Sequence, residues 1–107
     1  MSVPEVDVDE LARRLAAGAS VIDVREPHEY VAGHVAGAVS IPLATVPERI
    51  EEFRGTGPTY VICQAGGRSR RAAEFVTAHG IEAVNVAGGT GEWIASGRDV
   101  VEGAQPG

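Results

Sequence analysis

The chain has 107 residues, enough for one domain with a buried core and too few for a second. Hydrophobic residues make up 44% and charged residues 22% without any low-complexity run, which excludes a disordered chain. Fifteen acidic residues against nine basic ones give a net charge of -6, which argues against nucleic acid or an anionic membrane as partner and requires any anion site to be local.

The first residues, Met1 to Glu5, lack the basic and apolar segments of a signal peptide, and no stretch approaches the ~20 apolar residues of a membrane span. A single cysteine allows no internal disulfide, so a reducing cytoplasm is the expected setting.

Val3 to Val6 reads as a short strand. Asp7 with Glu10 three residues on marks a helix start, continued by Leu11 and Leu15 and ended at Gly18. Ser20 to Val24 is an apolar, β-branched run and therefore a buried strand, interrupted by Asp23. An unpaired carboxylate there is costly, so Asp23 needs partners, with Arg25 and nearby backbone amides as candidates.

Glu26 to Val31 follows as a short helix and Ala38 to Ile41 as a brief strand. Thr45 with Glu48 repeats the capping pattern, with Pro47 in the first turn and Ile50 and Phe53 facing inward. Gly55, Gly57 and Pro58 break the chain, and Thr59 to Ile62 forms a strand running directly into Cys63. A helix is expected over roughly Ser69 to His79, with Ala72, Phe75 and Val76 on its inner face and Gly80 beyond its end.

Ala83 to Val86 is the next strand. Gly88 and Gly89 make a turn that can approach the Cys63 loop, and Thr90 to Ser96 closes as a helix packed by Trp93 and Ile94. Alternating strands and helices predict an α/β fold with a parallel sheet covered on both faces, over residues 1–101, followed by a loose tail at 102–107.

The chemistry concentrates after the Thr59 to Ile62 strand. Ligands gather at the carboxyl ends of parallel strands, and Cys63 stands at such an end before a glycine-rich turn and a helix start. If Gln64, Ala65, Gly66, Gly67, Arg68 and Ser69 curl around the sulfur, their amides and the helix dipole form an anion cradle that favours the thiolate. Gly66 and Gly67 permit left-handed angles, and Arg68 can hold an anionic substrate.

A lone cysteine is more often a small buried hydrophobe, but the double glycine, Arg68 and the immediate helix favour function. Arg70 and Arg71 oppose the helix dipole, unless Arg70 pairs with Glu74 and both are simply solvated. His28, His34 and His79 show no metal-ligand spacing, and neither metal nor cofactor is expected.

Three ordered motifs resemble the rhodanese family of sulfurtransferases over nearly the whole chain. These are Asp23-Val24-Arg25 through Glu29-Tyr30, Gly33-His34-Val35 and Ile41-Pro42; the loop Cys63 to Ser69; and Gly88-Gly89 through Trp93 to Gly97. The resemblance implies a rhodanese-like three-layer fold with a five-stranded parallel sheet flanked by helices. It also implies that Cys63 takes the outer sulfur of thiosulfate or a related donor as a persulfide and yields it to an external thiol, cyanide or protein acceptor. Arg68 would bind the donor's anionic end, Asp23 and Arg25 would support the site, and His34 would fix loops. Thr90 replaces a larger apolar residue common in the family and is expected at the pocket rim.

Two rivals remain. A cysteine phosphatase or arsenate reductase uses a similar loop, but with five residues between Cys and Arg, whereas four separate Cys63 from Arg68 and enclose a smaller cavity. The other rival is a rhodanese-like module that carries sulfur to, or docks on, one protein without turnover.

Overall fold

The structure is a computed structural model and describes residues 2–107. Five strands, β1 (Glu5–Val6), β2 (Ser20–Asp23), β3 (Val39–Ser40), β4 (Thr59–Ile62) and β5 (Ala83–Val86), form one sheet in the order β1-β5-β4-β2-β3. Every pairing is parallel, as the alternation of strands and helices predicts. β4 is central and buried along its whole length, which explains its unbroken Tyr60, Val61 and Ile62 run.

Side chains alternate across a strand, so the sheet builds two cores. Ile22, Val61, Cys63 and Ala83 face a layer made by α3 (Gly67–Ala78) and the 3-10 segments Leu43–Thr45 and Pro47–Phe53. Val21, Tyr60, Ile62, Val84 and Val86 face α1 (Val8–Ala16), α2 (Pro27–Ala32) and α4 (Gly89–Ala95), where Leu11, Tyr30 and Trp93 are buried. Each large side chain so buried contributes about 1.5–3 kcal/mol before its entropy cost.

Local signals succeed where a side chain has only its own turn to reach. The Asp7 carboxylate accepts the Glu10 amide at 2.8 Å and caps α1. Glu26 and Glu29 form a reciprocal capping box on α2.

Other expectations need correction. Thr45 and Glu48 form no capping box: Thr45 ends a 3-10 turn and its hydroxyl donates to the Pro42 carbonyl at 2.8 Å, while Val46 precedes the next helical segment without a side-chain cap. α3 begins at Gly67, two residues earlier than expected. Its inner face is Ser69, Ala72, Ala73 and Val76, whereas Phe75 is exposed. Trp93 is buried, but Ile94 is exposed.

The tail at 102–107 is not loose. Val101 bridges His34, the Gly103 amide donates to the Val31 carbonyl at 2.9 Å, and the Gly37 amide donates to the Pro106 carbonyl at 2.8 Å. His34 is fully buried, stacks on Tyr30, and joins through its ring nitrogens the carbonyls of Tyr30 at 2.8 Å and Gln105 at 2.9 Å.

The α4 start locks onto the end of β4. The Thr90 amide donates to the Cys63 carbonyl at 2.8 Å and the Gly91 amide to the Gln64 carbonyl at 3.0 Å. Gly89 permits this approach at φ +58, because a Cβ there would lie 2.5 Å from the Cys63 oxygen. Gly97 has φ +86 with nothing within 4 Å of its virtual Cβ. Gly97→Ala therefore bears backbone strain alone, on the order of 1–3 kcal/mol. Gly89→Ala adds a clash with the Cys63 carbonyl and is expected to lose clearly more stability in urea denaturation; equal losses would show that the two segments are free to separate.

Candidate active site

β4 delivers Cys63 to the carboxyl edge of the sheet, and the chain then reverses over it. Gly66, at φ +111, is the left-handed residue that makes the reversal; its virtual Cβ meets the Val86 carbonyl and the Gly88 nitrogen at 3.5 Å, an ordinary contact, so the backbone angle and not a lack of space calls for glycine. Gly67 needs no such freedom: it is the first residue of α3 and its virtual Cβ meets nothing within 4 Å.

Of the six loop amides expected around the sulfur, those of Ala65, Gly66 and Ser69 are turned toward it. The Gly66 amide donates to Cys63 Sγ at 3.1 Å, and Ser69 Oγ lies 3.3 Å from it. Burial pushes the thiol up, while the Ser69 hydroxyl, whenever its proton turns to the sulfur, and the amides of Ser69, Gly66 and Ala65 pull it down and leave Cys63 below its ordinary value. The cysteine is buried, with Gln64, Ala65 and Gly67 exposed around it.

Asp23 finds its partners two residues on. Its carboxylate accepts the Arg25 backbone amide at 3.0 Å, and Arg25 Nη2 and Nε at 2.8 and 3.1 Å, in a pair that is almost wholly buried. Arg25 also donates to the Gly33 carbonyl at 2.8 Å and to Gln64 Oε1 at 3.2 Å. The pair thus ties the end of β2 to the end of α2 and to the rim of the loop.

Arg68 lies at the same mouth, held by a carboxylate that sequence reading had left unassigned. Its guanidinium meets both Glu29 oxygens, at 2.8 and 3.0 Å. The Arg68 hydrogen bonds hold Glu29 down at about 2. Beside them opens a cavity of about 370 Å³ lined by Arg25, His28, Glu29, Gln64, Ile94 and Val100.

The arginines in the first turn of α3 are compensated. Arg68 has Glu29, and Arg70 pairs with Glu5 of β1 at 2.6 Å rather than with Glu74. Asn85 of β5 was also missed within its apolar run. It is fully buried and accepts from Ser69 Oγ at 2.5 Å. Thr90, expected at the rim, is instead fully buried, and its hydroxyl has no partner among the described residues. Among the described residues no three His, Cys, Asp or Glu side chains converge as metal ligands, and no helix is long and apolar enough to cross a membrane.

Residues 7–96 match the family described as Rhodanese-like domain. The putative sulfur carrier protein YrkF of Bacillus subtilis is 35% identical over 95 residues, covering 86% of this chain. Thiosulfate sulfurtransferase GlpE of Pseudomonas entomophila is 35% identical over 79 residues, 73% of this chain and 72% of GlpE. The chain spans only 60% and 51% of the length of the Bacillus subtilis proteins YqhL and YrkF. A solved rhodanese-related protein from Thermoplasma volcanium superposes with a TM-score of 0.85 at 34% identity, covering 92% of this chain and 97% of that one.

Two pH responses follow from the geometry. Alkylation of Cys63 by iodoacetamide should reach half its maximal rate below the ~8.5 of a free thiol; a midpoint at or above that value would mean that the cradle does not favour the thiolate. Glu29 is ionised more readily folded than unfolded, so its contribution is complete above the ordinary carboxylate range and is lost as pH falls through about 2. The stability gap between wild type and Glu29→Gln in urea should be constant at neutral pH and shrink steadily below about pH 4.5.

Proposed function

The chain belongs to the rhodanese-like domain family, and we propose that it is a sulfurtransferase that moves a sulfane sulfur from thiosulfate or a related donor to a thiophilic acceptor through a persulfide on Cys63. The observation that carries this reading is one buried sulfur receiving a loop amide at 3.1 Å beneath an arginine-bearing helix start.

In the first half-reaction the Cys63 thiolate attacks the outer sulfur of thiosulfate. A new S–S bond forms, the donor's S–S bond breaks, and sulfite leaves with the electron pair. In the second, a nucleophile such as cyanide attacks the outer sulfur of the persulfide, and the electron pair of that bond returns to Cys63. The converging amides stabilise the negative charge at each stage. Arg68 meets the anionic end of the donor, and the Asp23–Arg25 pair keeps Gln64 and the loop in register.

Since Cys63 is the only cysteine among these 107 residues, the acceptor lies outside them. The cavity beside Gln64 and Glu29 supplies an approach for it. A cytoplasmic setting, where thiols stay reduced, suits this chemistry.

A dedicated sulfur carrier is the second reading. It is favoured by Glu29, which already occupies the Arg68 guanidinium, so that a dianionic donor has to displace a carboxylate. A partner offering a protein persulfide does not, and the acidic chain would suit a basic partner.

Incubation with thiosulfate should add one sulfur atom to the intact mass, cyanide should remove it as thiocyanate, and Cys63→Ser should abolish both. No adduct together with hydrolysis of an aryl phosphate would sink the sulfurtransferase reading. Adduct formation with very slow release to small acceptors would select the carrier. Arg68→Ala should raise the KM for thiosulfate roughly 10- to 100-fold, the scale of charge-assisted hydrogen bonds, and Glu29→Gln should lower it. If Arg70→Ala has the larger effect, the donor-binding arginine is Arg70.

A further inference from the structure

Ser69 has one hydroxyl proton and two neighbours that can take it, Cys63 Sγ at 3.3 Å and Asn85 Oδ1 at 2.5 Å. Which of them receives it is decided by Asn85, because the other end of that side chain is already committed. Its Nδ2 donates to Glu5 Oε2 at 2.7 Å and to the Gly66 carbonyl at 3.1 Å, which uses both amide protons. Turning the amide over would set its oxygen against a carboxylate and a carbonyl. Glu5 is further fixed by Arg70, and its carboxyl is held below its usual range by Asn85 and Arg70.

The Asn85 oxygen therefore faces Ser69 as an acceptor, and two oxygens at 2.5 Å require the Ser69 proton between them. The Ser69 oxygen then turns a lone pair toward Cys63. That suits a thiol, which can donate S–H to it, and a persulfide, whose inner sulfur carries no charge. It does not suit a free thiolate, which needs a donor and can recruit Ser69 only by breaking the bond to Asn85.

We propose that Asn85 is a positioning residue that claims the Ser69 proton and so biases Cys63 toward its uncharged forms, the thiol and the loaded persulfide. This rests on the persulfide reading above and extends it. In discharge, the acceptor bonds to the outer sulfur, the S–S bond breaks, and its electron pair stays on Cys63 Sγ as the thiolate. Because Asn85 disfavours that product, it slows release and makes the site a better holder of sulfur than a cradle with Ser69 unrestrained. The other charges near the sulfur are paired: Arg68 with Glu29, Arg25 with Asp23, and Arg70 with Glu5.

The test titrates thiolate absorbance at 240 nm in the unloaded protein, so it does not depend on sulfur transfer, and then follows cyanide discharge of persulfide-loaded protein. Asn85→Ala should lower the Cys63 midpoint by about one pH unit, a tenfold change in ionisation, and speed discharge. Ser69→Ala should shift the midpoint little in the wild type but raise it in the Asn85→Ala background.

Should Asn85→Ala fail to fold, Glu5→Gln leaves β5 intact and frees the amide to turn. Its lowering of the midpoint should then be largely lost when Ser69 is Ala. A Ser69→Ala increase of the same size with and without Asn85 would overturn the proposal. So would a Glu5→Gln effect undiminished by Ser69→Ala, which reports charge removal alone. A midpoint that moves as expected without any persulfide forming would retain the role of Asn85 and reject sulfur transfer.

Discussion

The hydrogen bond from the Gly66 amide to the Cys63 sulfur requires the chain to leave β4 and turn back over its own end within three residues. Much of the molecule follows from that turn. It demands a left-handed residue, which Gly66 supplies, and a helix beginning immediately, which places Ser69 one turn later on the inner face of α3. It also exposes the last carbonyls of the strand, and α4 satisfies them through the amides of Thr90 and Gly91. A strand end, two helix starts and one sulfur are thereby fixed together.

Charge is then arranged around a protein that is acidic overall. A helix N-terminus with Arg68, Arg70 and Arg71 in its first turns is locally repulsive, and two carboxylates from distant elements offset it. The two pairs differ in consequence. Glu29–Arg68 stands at the mouth, where an incoming anion meets it; Glu5–Arg70 stands behind the loop, where it steadies Asn85.

What the sequence disclosed follows the same division. Strands announced themselves by β-branched runs, α1 by its Asp7 cap, and the turn over the Cys63 sulfur by a cysteine followed by glycines and an arginine, all signals carried within a few residues. The missed features join residues far apart in the chain: Glu29 to Arg68 across 39 positions, Glu5 to Arg70 across 65, Glu5 to Asn85 across 80. No spacing rule reveals such partners until the strand order is known. Asn85 was hidden as a single polar residue in an apolar strand, and the tail looked loose because the carbonyls that His34 binds carry no side-chain signature. Thr45 and Glu48 misled for the opposite reason, a correct local pattern displaced by the 3-10 turn from Leu43 to Thr45.

β1 consists of two residues and pairs with β5 alone, 80 positions further along. During synthesis it has no partner until residue 86 has emerged, and closing so long a loop carries a large entropic cost. The sheet edge that brings Glu5 to Asn85 is thus among the last contacts available to the folding chain. The sulfur can be covered as soon as α3 docks on β4, but its proton relations are set only when β1 meets β5.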